Sequence, residues 1–240
     1  SGLVGSEMCI RDRLKSKYTF SINLPHLIDA LQDTIRYGNI KLKNYKKVYS
    51  DEDVIQFSVV TLVLPDGSLV LSFSGTDGSI TGWKENLMMT YSKDLPCQIL
   101  AKDYVKETIA DIPETSYLFG LKKKKVYPKM YLTGHSKGGN LAMYAYLKNP
   151  KLQGYIEGVK SFDGPGFADG FWQGDEDVSK ITNYIPKDSI VGRVLDHREQ
   201  TKVMDAEGSG LVQHDTLMWS VDVKDFNYCD ALTKESDDLL

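Results

Sequence analysis

The sequence predicts an α/β fold: a mostly parallel central sheet with helices on both faces, interrupted by one sharp turn that presents a serine. Three observations carry this. Short β-branched and apolar runs alternate with longer stretches of helical periodicity between Val54 and Met204, as strands joined by crossover helices do. The pentapeptide Gly134-His135-Ser136-Lys137-Gly138 stands between a strand-like run, Val126 to Thr133, and a helix-like run, Gly139 to Leu147, which is the setting a nucleophile elbow needs. A chain of 240 residues is also long enough to bury one sizeable α/β core without a second domain.

Taken in order, Ser1 to Arg13 has neither strand nor helix periodicity. It resembles translated sequencing-adaptor read-through, so residues 1–13 are expected to be non-native and 14–240 to form one domain. From Leu24 to Tyr37, apolar residues at Leu27, Ile28, Leu31 and Ile35 predict an amphipathic helix ending at Gly38. A lysine-rich connector follows. Val54 to Leu64 and Ser68 to Phe73 flank Pro65-Asp66-Gly67 and read as a strand hairpin. Thr81 to Tyr91 is expected as a helix with Trp83, Leu87 and Met88 as its apolar face, and Gln98 to Ile112 as another with Ile99, Tyr104, Val105 and Ile109 inward. The four-lysine run Lys122 to Lys125 reads as a solvated loop, with attraction to an anionic membrane surface as the lesser reading. After the elbow, Gly158 to Asp163, Ile181 to Ile185 and Thr201 to Met204 read as strands, and Gly208-Ser209-Gly210 opens the loop to His214.

An elbow holds its serine on a strained strand-to-helix turn, with glycines two places before and after because side chains there would collide. Ser136 is therefore the candidate nucleophile. A serine hydroxyl is weak at neutral pH and needs a histidine to take its proton. Of the four histidines, His26 precedes the elbow and so stands in the wrong chain order, and His135 is expected to point away as a packing residue. His197 follows Asp188 closely, whereas His214 lies in the loop after the last strand and is the preferred base. A carboxylate must fix the tautomer of that base. Asp188, after the second strand beyond the elbow strand, is preferred. Asp163, after the first such strand, stays open, as do Asp196 and Asp215. For the oxyanion, the backbone N–H of Lys137 supplies one donor and Thr76, after Gly75, the other.

A net charge of −4 gives no general basic surface for a phosphate backbone, so no nucleic-acid partner is expected. No apolar run approaches the roughly 18 residues of a membrane-spanning helix. Three well-separated cysteines, Cys9, Cys97 and Cys229, fit neither a zinc site nor a disulfide framework, and a reducing, cytoplasmic setting is expected.

Together, Phe73-Ser74-Gly75-Thr76-Asp77, Gly82-Trp83-Lys84-Glu85, Gly134 to Ala142, Ser161 to Phe167, Pro186 to Gly192 and Gln213-His214-Asp215 resemble the α/β-hydrolase superfamily. Its class three lipase-like branch is the nearest in kind, and within it a group of bacterial lipase-like proteins. The resemblance implies a Ser136, Asp188, His214 triad with Thr76 and Lys137 at the oxyanion. It implies hydrolysis of carboxylic esters of acylglycerol or phospholipid type, with no metal or organic cofactor. Two departures stand out: Ser74 replaces an arginine common before the Gly-Thr pair, and Asn86 an aspartate common after the tryptophan segment. A catalytically silent binding protein of this fold, or an acyltransferase using the same serine, are the alternatives.

Overall fold

The computed structural model describes residues 30, 31, 34, 37–117 and 122–233. The expectations for residues 1–13 and His26, and nearly all of the helix expected from Leu24, lie outside them. Among the described residues, seven strands form one sheet in the order β1 (Lys41–Ser50), β2 (Ile55–Val63), β3 (Leu69–Phe73), β6 (Met130–His135), β7 (Gly158–Phe162), β8 (Ile181–Pro186) and β9 (Gln200–Met204). The first two pairings are antiparallel; those from β3 through β9 are parallel. The predicted fold class is the observed one.

The lysine-rich connector is a strand, not a connector. In β1, Leu42, Lys46, Val48 and Ser50 are half-buried while Lys41, Lys43 and Lys47 point outward. A register shift between Lys43 and Lys46 breaks the strict alternation by which a strand is recognised in sequence. Outward lysines on an edge also discourage a second chain from pairing there. The four-lysine run is likewise a strand, β5 (Lys122–Lys125), paired antiparallel with β4 (Glu114–Tyr117) in a separate hairpin. Its register sets Lys125 opposite Glu114, a cross-strand pair of opposite charge.

The core lies on one face of the sheet, where Leu71, Phe73, Met130, Leu132 and Val159 are buried. Two helices cover this face and pack on each other, α2 (Pro96–Ala110) and α3 (Lys137–Leu147). Every residue of α3 is buried, as expected of a helix enclosed on all sides. Tyr104, Val105 and Ile109 of α2 face inward as expected, but Ile99 is exposed. Gln98 takes the inward place, accepting from Leu95 N at 2.9 Å and donating to Asn140 Oδ1 at 2.8 Å. At the β7 to β9 end the opposite face is covered by the C-terminal segment: Phe162 stacks on Tyr184 at 5.3 Å, and Trp219 and Phe226 pack against them.

Helix α1 (Ile80–Met88) turns most of its apolar face to solvent. Met88 packs on the core, but Ile80, Trp83 and Leu87 are 77%, 58% and 66% exposed, while Glu85 is fully buried. The apolar periodicity is real and faces outward. The reason lies beneath the elbow, where Glu85 is needed.

Candidate active site

The elbow is built as its glycines require. A Cβ on Gly134 would come within 2.2 Å of the Gly138 backbone, and one on Gly138 within 2.2 Å of the Phe73 carbonyl oxygen. Ser136 has φ 57° and ψ −130°, a sparsely populated conformation for a residue with a side chain. Its N–H donates to Phe162 O at 2.9 Å, which fixes the turn against the end of β7. The hydroxyl is thereby carried to the C-terminal end of the parallel strands, where open α/β sheets place their sites.

Asp163 follows β7 directly, also at positive φ, 50°, a region that aspartate tolerates better than most residues. Its carboxylate is buried and fully engaged. Oδ1 accepts from Ser189 Oγ at 2.5 Å and Gly192 N at 3.0 Å, and Oδ2 lies 2.6 Å from His214 Nδ1. An ionised carboxylate can only accept, so Nδ1 carries the proton and Nε2 is left as the basic nitrogen.

Asp188 does not meet His214, which corrects the acid preferred from sequence. Its Oδ2 accepts from Gln213 Nε2 at 3.0 Å, its N–H donates to Gln213 Oε1 at 2.9 Å, and its Oδ1 accepts from Thr233 Oγ1. Gln213 in turn donates to Ala206 O and Gly208 O, and its own carbonyl accepts from Trp219 Nε1. Asp188 thus holds the residue before His214. The physical reason for the correction is reach: Asp163 leaves β7, hydrogen-bonded neighbour of the elbow strand β6, whereas Asp188 leaves β8, one strand further out.

His135, expected to be a packing residue directed away from the Ser136 hydroxyl, packs against His214: its Nε2 lies 2.7 Å from His214 O, and the two imidazole rings are 4.4 Å apart by centroid. A carbonyl only accepts, so Nε2 carries the proton. Burial, and then the neighbouring His214, push its pKa down to about 4. His197 is engaged elsewhere, with Nδ1 2.6 Å from Glu199 Oε1 and Nε2 3.2 Å from Val194 O.

Thr76 stands at the C-terminal end of β3, and its hydroxyl donates to Asn86 Oδ1 at 2.9 Å. The amide oxygen of Asn86 therefore accepts where an aspartate would. Ser79 caps α1 by accepting from Gly82 N at 3.0 Å, which ties the Thr76 loop to that helix. Lys137 begins α3, and its side chain is as notable as its backbone. The side chain is 1% exposed, and its ammonium lies 2.5 Å from Glu85 Oε2, 2.7 Å from Gln56 O and 2.5 Å from Gln56 Oε1. Sequence reasoning missed Glu85 and Gln56. The signal was present: a lysine at the start of an otherwise apolar buried helix requires a buried carboxylate partner.

These features define a lipase-like α/β-hydrolase fold. The lipase from Rhizopus microsporus var. chinensis shares it, with a TM-score of 0.54 at 12% identity, covering 98% of this chain and 83% of that one. The chain belongs to the Mbeg1-like family, whose model matches residues 31–240. M37 lipase is more distant in structure, with a TM-score of 0.40 at 18% identity over 72% of this chain and 63% of its own, too low to bear on the fold. No curated protein sequence matches the chain. Among the described residues no helix is long and apolar enough to cross a membrane.

Proposed function

We propose that the protein hydrolyses carboxylic esters through an acyl-enzyme on Ser136, with His214 as base and Asp163 as the acid that orients it. The observation that carries this is the 2.6 Å contact between Asp163 and His214 Nδ1, in a chain that also holds Ser136 at φ 57° on a strand-to-helix turn. In acylation, Ser136 Oγ attacks the ester carbonyl as His214 Nε2 takes its proton, and Asp163 stabilises the imidazolium. The tetrahedral oxyanion is met by the backbone N–H groups of Thr76 and Lys137, and the alcohol leaves with the proton from His214. Water then repeats the sequence on the acyl-enzyme and releases the acid. Ile80, Trp83 and Leu87 form an exposed apolar stripe on the helix that follows Thr76, and Leu211 and Val212 are exposed just before His214. Exposed apolar surface on the segments that follow Thr76 and precede His214 in the chain favours an ester with an acyl chain.

The test is labelling by a fluorophosphonate probe combined with turnover of p-nitrophenyl esters of graded chain length. Wild type should be labelled at Ser136 and Ser136→Ala should not, with turnover rising from acetate to longer chains. A folded wild type that takes no label overturns the reading.

A further inference from the structure

We propose that the Lys137 side chain, through Gln56, aims the second oxyanion donor, so that one residue serves both halves of the oxyanion site; this rests on the hydrolase reading above. Gln56, at the start of β2, is buried. Its Oε1 lies 2.5 Å from the Lys137 ammonium and its Nε2 3.4 Å from Gly75 O. Lys137 has only donors and a carbonyl only accepts. The two contacts therefore demand opposite ends of the amide, and its orientation is dictated at both ends.

The Gly75 carbonyl and the Thr76 N–H belong to one planar trans peptide unit, in which the two bonds point in opposite directions. A donor that holds the carbonyl on one side sets where the N–H points on the other. Gln56 thus aims the N–H of Thr76, and Lys137 aims Gln56, while the backbone of Lys137 supplies the first donor directly. Glu85 neutralises the ammonium at 2.5 Å, and Glu85 Oε1 accepts from Gln56 N at 3.4 Å. Glu85 is followed by Asn86, which holds the Thr76 hydroxyl. The same turn of α1 therefore fixes the loop at its backbone and at its side chain. Room for error is small, since a Cβ on Gly75 would lie 2.9 Å from His135 O. Lys137 and Gln56 are positioning residues in this scheme, and their side chains touch no substrate.

The experiment compares wild type, Gln56→Met and the charge-neutral pair Lys137→Met with Glu85→Gln. Gln56→Met keeps the ion pair and so tests the idea even if the double variant does not fold. A trifluoromethyl ketone serves as probe, because Ser136 adds to it and the resulting hemiketal oxyanion needs both donors. Removal of an oxyanion donor typically lowers kcat by about 10²-fold to 10³-fold, and misplacement of a reacting group by about 1 Å costs up to about 10²-fold. The expected result is that kcat falls by about that factor and the inhibition constant of the ketone rises in parallel, with KM within about 2-fold of wild type. Merely structural residues would lower the melting temperature without this parallel. An active wild type whose folded variants keep the ketone affinity, or lose only KM, overturns this inference alone. A wild type without turnover or labelling overturns it together with the hydrolase reading.

Discussion

His135 donates from Nε2 to the backbone carbonyl of His214 at 2.7 Å, so the residue adjoining the elbow serine holds the main chain of the proposed base. Removing that donor leaves a half-buried carbonyl without its partner and the His214 loop without its anchor. His135→Ala is expected to lower kcat/KM by about 10-fold or more while Ser136 remains labelled, only more slowly. Timed probe labelling checks this.

The same residue predicts a pH dependence of stability. The pKa of His135 in the folded protein is about 4, below the roughly 6.5 of a free imidazole. Between those values the unfolded chain binds a proton that the folded one refuses. The contribution is complete above about pH 6.5 and is lost as pH falls toward 4, about 3 kcal/mol in all. Urea unfolding of wild type should show a fall over that window that is smaller in His135→Gln.

Asp163 and Asp188 separate cleanly by substitution to asparagine. In Asp163→Asn the new side-chain oxygen would still accept from Ser189 and Gly192, but the amide nitrogen would donate to His214 Nδ1 and force the wrong tautomer. This variant should therefore lose about 10³-fold to 10⁴-fold in kcat with the fold retained. In Asp188→Asn the side-chain oxygen can still accept near Gln213, and the expected loss is below about 10-fold. Steady-state kinetics beside circular dichroism reads both.

Ser136 stores strain. Its φ of 57° costs of order 1–3 kcal/mol for a residue with a side chain. Ser136→Gly should raise the free energy of unfolding by about 1–2 kcal/mol while removing all probe labelling. Equilibrium denaturation gives the sign directly.

The Lys137 and Glu85 pair bears on stability from the side of charge. Breaking a buried pair from one side leaves an uncompensated charge, so Lys137→Met alone should destabilise by about 3–5 kcal/mol. Adding Glu85→Gln should recover much of that loss, because no charge then remains to be desolvated. A double-mutant cycle on unfolding free energies measures the recovery.

The sheet from β2 onward, the elbow and His214 were legible in the sequence because each is a local signal: a β-branched run, a glycine spacing, a loop after a strand. What was not legible is what depends on which side chain faces which. Helix α1 shows the helical periodicity expected of it, yet it buries Glu85 and turns Trp83 and Leu87 outward. Periodicity measures contrast between faces and not which of them is covered. Chain order could not separate Asp163 from Asp188, since both lie between serine and histidine. Adjacency in the sheet decides it, and that is a property of strand order. Strand β1 escaped detection because its register shift near Asn44 scrambles the alternation on which recognition depends.

The strand order also bears on the making of the protein. Thr76, Ser136, Asp163 and His214 are read out in that sequence as the chain is synthesised, and each waits for a later partner. Pairing of β3 with β6 brings the loop of the proposed oxyanion donor Thr76 toward the elbow, and β7 adds Asp163, the proposed acid. The proposed base arrives last, with the C-terminal segment that packs Trp219 and Phe226 on Phe162. A nascent chain lacking that segment carries Ser136 without its proposed base. On the proposed mechanism, reactivity at Ser136 therefore waits until the C-terminal segment has brought His214 into place.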